Sequence, residues 1–390
     1  MRKIKAGVLI DRLNVGGVEK IAIEQVIAMR KIGIDAKLFV LRRKGIVDNA
    51  FEDRRKKIPT IFLDDRLPSF LKLTFNFPVF HFFSFFHITY PFIIPFVVGR
   101  TEVDYFFSHG TYTSFTAVMI KKIRKINYSV FMWDPISYIL ERVYRKRLGL
   151  LMHPLLFISH FLDGVIVKNS DSVLVGGEAH SKFLKTFGNN IKTIPPAVNP
   201  IAKPLKKRNG RVLIVAAWKY GKSPEFVFEL LEKNPSLRFD LVGKWIVPEQ
   251  KKEFTKEIKK RKLTKQIKII GPVSDSQLSK NYSHSQVVLQ ITDDRGFGMP
   301  ALEAAGNGTP FVIPKGQGVC KLFKNKMDGY FVKEKNTEEI GRYLSELISN
   351  NKRALEMGIH GWQTVVKSYS WENHAQKLQR VLLEKSESFV

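Results

Sequence analysis

Short apolar runs alternate with helix-period segments along the whole chain, and this rhythm leaves few folds open. KAGVLI (5–10), DAKLFVL (35–41), VDYFFS (103–108), YSVFMW (128–133) and SVLVGG (172–177) are short and almost uniformly apolar, so they read as strands buried on both faces of a parallel sheet. The alternation restarts at 211 with RVLIVAA, RFDLVG, IKIIG, SQVVLQI and TPFVIP, separated by helix patterns such as Pro224 to Glu232 and Asp275 to Tyr282. Between the two sets lie Pro195, Pro196, Pro200, Pro204 and the basic stretch KKRNGR, a composition that suits an extended linker. At 390 residues the chain is also too long for one ordinary core. The expected fold class is α/β, with two Rossmann-like domains at 1–200 and 201–370 and a closing helix at 371–390 that packs back toward the first.

Composition narrows the function classes. Apolar residues at 44% exclude disorder, and the single Cys320 excludes a disulfide framework or a cysteine zinc cluster. A net charge of +28 invites a nucleic-acid or anionic-lipid partner, but it is spread evenly: residues 1–200 carry 30 basic and 16 acidic side chains and the remainder 34 and 20. No helix-turn-helix, zinc-finger or aromatic RNA signature accompanies it, so a basic nucleic-acid-binding protein is the more distant reading and no nucleic acid is expected as a partner.

Phenylalanine is concentrated instead. Ten of the 30 fall within 70–99, and no charged residue occurs between Leu73 and Val98. Pro78, Pro91 and Pro95 break a straight spanning helix, and Asn76, His81 and His87 are expensive in hydrocarbon. We read a broken hydrophobic element lying on the surface beside basic runs, suited to an anionic membrane surface; a buried aromatic core is the alternative. The start RKIKAGVLID has only a four-residue apolar run before Asp11 and reads as a first strand rather than a signal peptide. The expected location is cytoplasmic, peripheral or monotopic at the inner face of the cell membrane.

Two strand–turn–helix junctions carry chemistry. In DRLNVGGVEK (11–20), Gly16 and Gly17 permit a tight turn at a helix N-terminus, where free N–H groups suit a phosphate or sugar oxygen; a plain structural turn explains them equally well. GxGxxG is absent here, which removes the main support for hydride transfer. GFGMPALEAAGNGTPFV (296–312) is the stronger signal: Gly298 allows close backbone approach, Met299 and Pro300 open a helix, and Glu303 lies one turn in, able to accept both hydroxyls of a ribose. His109 follows VDYFFS, at the edge where doubly wound sheets place ligands. Asp293 and Asp294 suggest a metal pair but have no third ligand and read as a strand-end pair, while His153, His160, His180 and His284 have no metal spacing.

The 296–312 run resembles the donor-site signature of retaining family 4 glycosyltransferases of the GT-B fold, EGFGLPxLEAxAxGTPVV, and the resemblance extends over nearly the whole chain. NVGGVEK is similar to that family's GGxER turn, SVLVGGEAHSKFLKTFG and IKTIPPAVN to the end of its first domain, and VAAWKYGKSPEFVFELL to its phosphate-binding region. The resemblance implies a GT-B fold with two parallel sheets facing across a cleft. It also implies transfer of a hexose, with retention, from a nucleotide diphospho-sugar to an acceptor, with no metal and no other cofactor. Lys222 then contacts the donor diphosphate and Glu303 holds the nucleotide ribose.

Three positions depart from the family pattern. Arg295 stands where the signature has its first Glu, and a guanidinium there suits an acidic transferred sugar, with a surface role as the alternative. The usual diphosphate Arg falls near Trp218 and Lys219, which makes Lys219 a substitute. The His that often ends the fifth strand is Trp133, with Asp134 beside it as a candidate for orienting the acceptor. The catalytic candidates are therefore Asp134, His109 and Lys222. The donor-binding candidates are Gly16, Gly17, Lys219, Lys222, Arg295, Phe297, Gly298, Met299, Pro300 and Glu303. The Phe-rich element points to a lipid-linked saccharide or glycolipid as acceptor. A catalytically silent GT-B-like scaffold that binds nucleotide is the alternative.

Overall fold

The computed structural model describes residues 4–13, 17–43, 52–72, 86–133, 135–141, 149, 152–176, 181–188, 190–218, 222–291 and 297–386. They form two compact units, Met1–Pro196 together with Trp371–Val390 (unit 1) and Ala197–Ser370 (unit 2).

Unit 1 runs β1 (Lys5–Ile10), α1 (Gly17–Lys31), β2 (Asp35–Val40), α2 (Glu52–Arg55), β3 (Thr60–Phe62), α3 (Phe86–Val97), β4 (Tyr105–His109), α4 (Thr111–Arg124), β5 (Asn127–Phe131), α5 (Ile136–Ile139), α6 (Met152–Asn169), β6 (Ser172–Val175), α7 (Ser181–Lys185) and β7 (Ile191–Thr193). Its seven strands lie in the order β3-β2-β1-β4-β5-β6-β7, all parallel. Unit 2 runs β8 (Val212–Val215), α8 (Phe226–Lys233), β9 (Phe239–Val242), α9 (Pro248–Lys260), β10 (Ile267–Ile270), α10 (Asp275–His284), β11 (Val287–Leu289), α11 (Met299–Gly306), β12 (Phe311–Pro314), β13 (Tyr330–Val332), α12 (Thr337–Ser349) and α13 (Asn351–Ser368). Its six parallel strands lie in the order β10-β9-β8-β11-β12-β13. The last helix, α14 (Trp371–Ser386), belongs to unit 1 and packs on α1.

Apart from β10, a partly buried edge strand, the strand runs read from the sequence are the central strands, whose near-uniform apolarity follows from helices covering both faces. Three strands escaped that reading: β3, β7 and β13 have three residues each and lie at sheet edges. In each unit the strand order reverses at one point, between β1 and β4 in unit 1 and between β8 and β11 in unit 2. The carboxyl ends of these adjacent strands are where doubly wound sheets bind ligands.

Two expectations need correction. The Pro-rich stretch read as an extended linker is built into unit 2 from Ala197 onward. Ile201 N–H donates to Gly306 O, and the Arg208 guanidinium donates to Ser283 O, Ser285 O, Thr309 Oγ1 and Gly308 O. Its basic composition conceals a half-buried arginine that caps backbone carbonyls. The Phe-rich stretch, where described, is not simply surface-lying. On α3 the stripe Phe86, Tyr90, Ile94 faces the core of unit 1 beside Phe39, Phe106 and Val118, while Ile88, Phe92 and Phe96 face outward. Both stripes repeat every four residues, as a helix requires. Pro91 and Pro95 each delete one helical hydrogen bond, and Arg124 donates to Pro95 O and Phe96 O while Arg66 donates to Val97 O, satisfying the helix's last carbonyls. Residues 73–85, with six of the ten phenylalanines, lie outside the described residues.

Candidate functional site

In unit 2 the site is built where β8 and β11 end side by side. Gly298 caps α11 in the left-handed region at φ +93°, and a Cβ there would stand 2.6 Å from Val319 Cγ1, so glycine is required both by conformation and by space. Val319 N–H donates to Phe297 O at 2.7 Å and pins the turn. Met299 and Pro300 form the first helical turn, where a proline lacks only a donor that the helix leaves unbonded. One turn in, Glu303 is half-buried and accepts a hydrogen bond from Tyr282 Oη at 2.7 Å. Burial first, and then the Glu303 charge, push the Tyr282 phenol well above its usual range, so it remains a donor. Phe297, Gly298, Met299, Pro300 and Glu303 thus share one junction, and half-buried Lys222 lies on the segment that follows the neighbouring strand, β8.

Trp218 departs from any diphosphate role. Its side chain is fully buried and stacked on Trp245 with ring centroids 5.3 Å apart, and its backbone pairs with Lys244 and Ile246. Lys219 and Arg295 lie outside the described residues, as do Asp293 and Asp294.

In unit 1 the corresponding edge is formed by β1, β4 and β5. Gly17 is the first residue of α1 and is exposed. Neither a positive φ nor a neighbouring atom within 4 Å demands glycine there, so the tight-turn argument fails for this position; Gly16 lies outside the described residues. His109, the last residue of β4, is 3% exposed and has both ring nitrogens occupied, Nδ1 by Trp133 Nε1 at 3.1 Å and Nε2 by Gln25 Oε1 at 2.7 Å. Burial, with a smaller contribution from His374, pushes its pKa down to about 3, so the ring is neutral at ordinary pH.

Asp134 itself is outside the described residues, while its neighbours Trp133 and Pro135 are described. Trp133 is held by His109, and the fully buried Asp163 of α6 accepts hydrogen bonds from Ile136 N at 3.2 Å, Ser137 N at 3.1 Å and Ser137 Oγ at 2.7 Å, capping α5. Sequence reasoning missed Tyr282, Asp163, Gln25 and His374. A signal existed for two of them. Gln25 interrupts the apolar stripe Ile21, Met29 of α1, and His374 interrupts the stripe Trp371, Leu378 of α14.

Comparisons with known proteins agree with this geometry. Residues 199–364, nearly all of unit 2, match the sequence model of the family described as glycosyl transferases group 1. Among curated proteins the chain is similar to an uncharacterized glycosyltransferase of Methanocaldococcus jannaschii, 29% identical over 112 residues, and to D-inositol 3-phosphate glycosyltransferase of Corynebacterium urealyticum, 26% identical over 116 residues. These matches span only 29% and 27% of the relatives' own lengths, and 29% and 30% of this chain. Among solved structures it resembles sucrose-phosphate synthase from Thermosynechococcus elongatus, with a TM-score of 0.77 at 14% identity over 99% of this chain and 100% of the other. It also resembles Anabaena HepE in complex with UDP and glucose, with a TM-score of 0.72 at 16% identity over 97% and 99%. The fold is that of the GT-B glycosyltransferases, two Rossmann-like units with parallel sheets of seven and six strands. Within it, unit 2 is the part of the chain that matches the glycosyl transferases group 1 model.

Proposed function

We propose that this protein transfers a hexose from a nucleotide diphospho-sugar to an acceptor. The observation that carries the reading is the β11–α11 junction, where Gly298 opens the helix N-terminus to close approach and Glu303 presents a carboxylate oriented by Tyr282. A diphosphate suits the positive end of the helix dipole at that start, and a ribose suits the carboxylate. The likeness to a protein crystallised with UDP and glucose supports the same donor class. Lys222 supplies cationic stabilisation to the leaving diphosphate as the glycosidic bond breaks, with Lys219 as a second cation and without a metal. In this reading the transfer retains configuration, Asp134 orients the acceptor, and Arg295 reads an acidic group on the sugar.

The acceptor in this reading is a lipid-linked saccharide or glycolipid, met at an anionic membrane face. Its support is the outward stripe Ile88, Phe92, Phe96 of α3 and the exposed Phe157, Ile158 and Phe161 of α6, helices that both pack on α4. No helix among the described residues is long and apolar enough to cross a membrane. The test is a screen of neutral and acidic nucleotide sugars for release of nucleoside diphosphate. Turnover supports the enzyme; binding without turnover selects the silent scaffold, a reading favoured by the burial of Trp218 where a diphosphate arginine is usual. No binding by any nucleotide sugar overturns both.

A further inference from the structure

Five residues of unit 1, from five different parts of the chain, form one unbroken hydrogen-bonded line. Trp133 Nε1 meets His109 Nδ1 at 3.1 Å, His109 Nε2 meets Gln25 Oε1 at 2.7 Å, Gln25 Nε2 meets His374 Nε2 at 2.9 Å, and His374 Nδ1 meets Pro195 O at 2.8 Å. The direction of every bond follows from the two ends. An indole N–H only donates, so His109 Nδ1 accepts and its Nε2 carries the proton. A carbonyl only accepts, so His374 Nδ1 carries the proton and its Nε2 accepts. Gln25 between them accepts with its oxygen and donates with its nitrogen, the one arrangement that satisfies both rings.

The middle of the line is buried and closely packed. Gln25, His109 and His374 are 0%, 3% and 2% exposed. Phe131 stacks on His109, Trp133 and His374, with centroids 4.7, 5.4 and 6.1 Å apart. Burial lowers the pKa of His374 to about 4, opposed by the Pro195 carbonyl and assisted by Lys377, so both rings stay neutral. A charge on either ring would leave two N–H donors facing one another or facing a donor, which the line cannot accommodate.

One end of this line, Trp133, is half-buried at the carboxyl end of β5 and precedes Asp134. The other end lies at the two places where the chain passes between units, Pro195 just before the first crossing and His374 just after the second.

We propose that Gln25 and His374 are positioning residues that hold Trp133, at the carboxyl end of β5, by locking His109 in its neutral Nε2–H form. His109 then acts through Trp133 rather than as an acid or base, since both of its nitrogens are committed. The role in turnover rests on the glycosyl-transfer reading; the line itself does not.

The test uses the full chain in two arms. Nitrogen-15 histidine NMR at pH 7 is expected to find, among the nine histidines, His109 as the Nε2–H tautomer and His374 as the rarer Nδ1–H tautomer, both unchanged down to pH 5. Assignment uses His109→Asn and His374→Asn. A charged ring at pH 6, or two Nε2–H rings, overturns the proposal whether or not the protein has activity. In the second arm, 5-fluorotryptophan reports on Trp133 by fluorine NMR, assigned with Trp133→Phe. Gln25→Leu is expected to shift that resonance and, with an active donor, to lower kcat about tenfold while KM for the donor changes less than about twofold. Gln25→Leu without a fluorine shift, or with donor KM raised and kcat unchanged, overturns the positioning role.

Discussion

Tyr282 Oη donates to the Glu303 carboxylate across 2.7 Å, joining α10 to the first turn of α11. Glu303 is therefore already oriented, its negative charge supported by a buried hydroxyl that does not itself ionise. Tyr282→Phe removes one hydrogen bond to a charged group, a change of about 1.5–3 kcal/mol. The expected outcome is a drop of roughly tenfold or more in nucleoside diphosphate or nucleotide-sugar affinity by calorimetry, with secondary structure intact.

Gly298 tests the turn. In Gly298→Ala the new Cβ meets Val319 Cγ1 and the backbone is held at positive φ, which together cost about 1–3 kcal/mol. Thermal unfolding is expected to shift down, and donor binding to weaken with it. Adding Val319→Ala relieves the contact but not the φ, so the double variant should recover stability only in part.

Acid tests the histidine line by linkage. Both rings have folded pKa values below the usual 6.5, about 3 for His109 and about 4 for His374. Between pH 6.5 and those values the unfolded chain binds more protons than the folded one, so stability is full above 6.5 and is lost as pH falls. Each ring contributes a slope of up to about 1.4 kcal/mol per pH unit in that window. Urea unfolding at pH 7, 6, 5 and 4.5 should show the loss, and His374→Asn should flatten the slope by about one proton's worth. An unchanged slope in the variant contradicts a neutral buried His374.

Buried and exposed phenylalanines of α3 and α6 should separate by burial. Phe86→Ala opens the core of unit 1 and is expected to cost about 3–5 kcal/mol of stability. Replacing the exposed Phe92, Phe96, Phe157 and Phe161 with serine should leave the unfolding midpoint nearly unchanged while reducing co-sedimentation with anionic vesicles several-fold. Wild-type protein that stays in the supernatant with anionic vesicles at low salt contradicts the membrane-facing reading.

The α/β class was legible because buried parallel strands such as Val212–Val215 are continuous apolar runs that no amphipathic helix resembles. Ile191–Thr193 was not, since a partly exposed three-residue edge strand carries almost no pattern. On α3 phenylalanines occur on both faces, so composition alone could not tell the core stripe from the outward one; only the helix phase does. The β11–α11 junction announced itself locally, through glycine, proline and a carboxylate at fixed spacing. Gln25, His109 and His374 lie 84 and 349 positions apart along the chain, and their meeting depends on which strands and helices neighbour one another. Trp218 shows the converse: its position in the sequence suggested the donor site, and packing against Trp245 turned it into core.

The central claim, a nucleotide diphospho-sugar donor held by Glu303, is tested most directly by donor turnover with wild type and Glu303→Ala side by side across a panel of nucleotide sugars. The account predicts release of nucleoside diphosphate from at least one donor by wild type, and a loss of about tenfold or more in kcat/KM for that donor in a folded Glu303→Ala protein. Equal kcat/KM in the two proteins, or a wild type that neither binds nor turns over any nucleotide sugar, contradicts it.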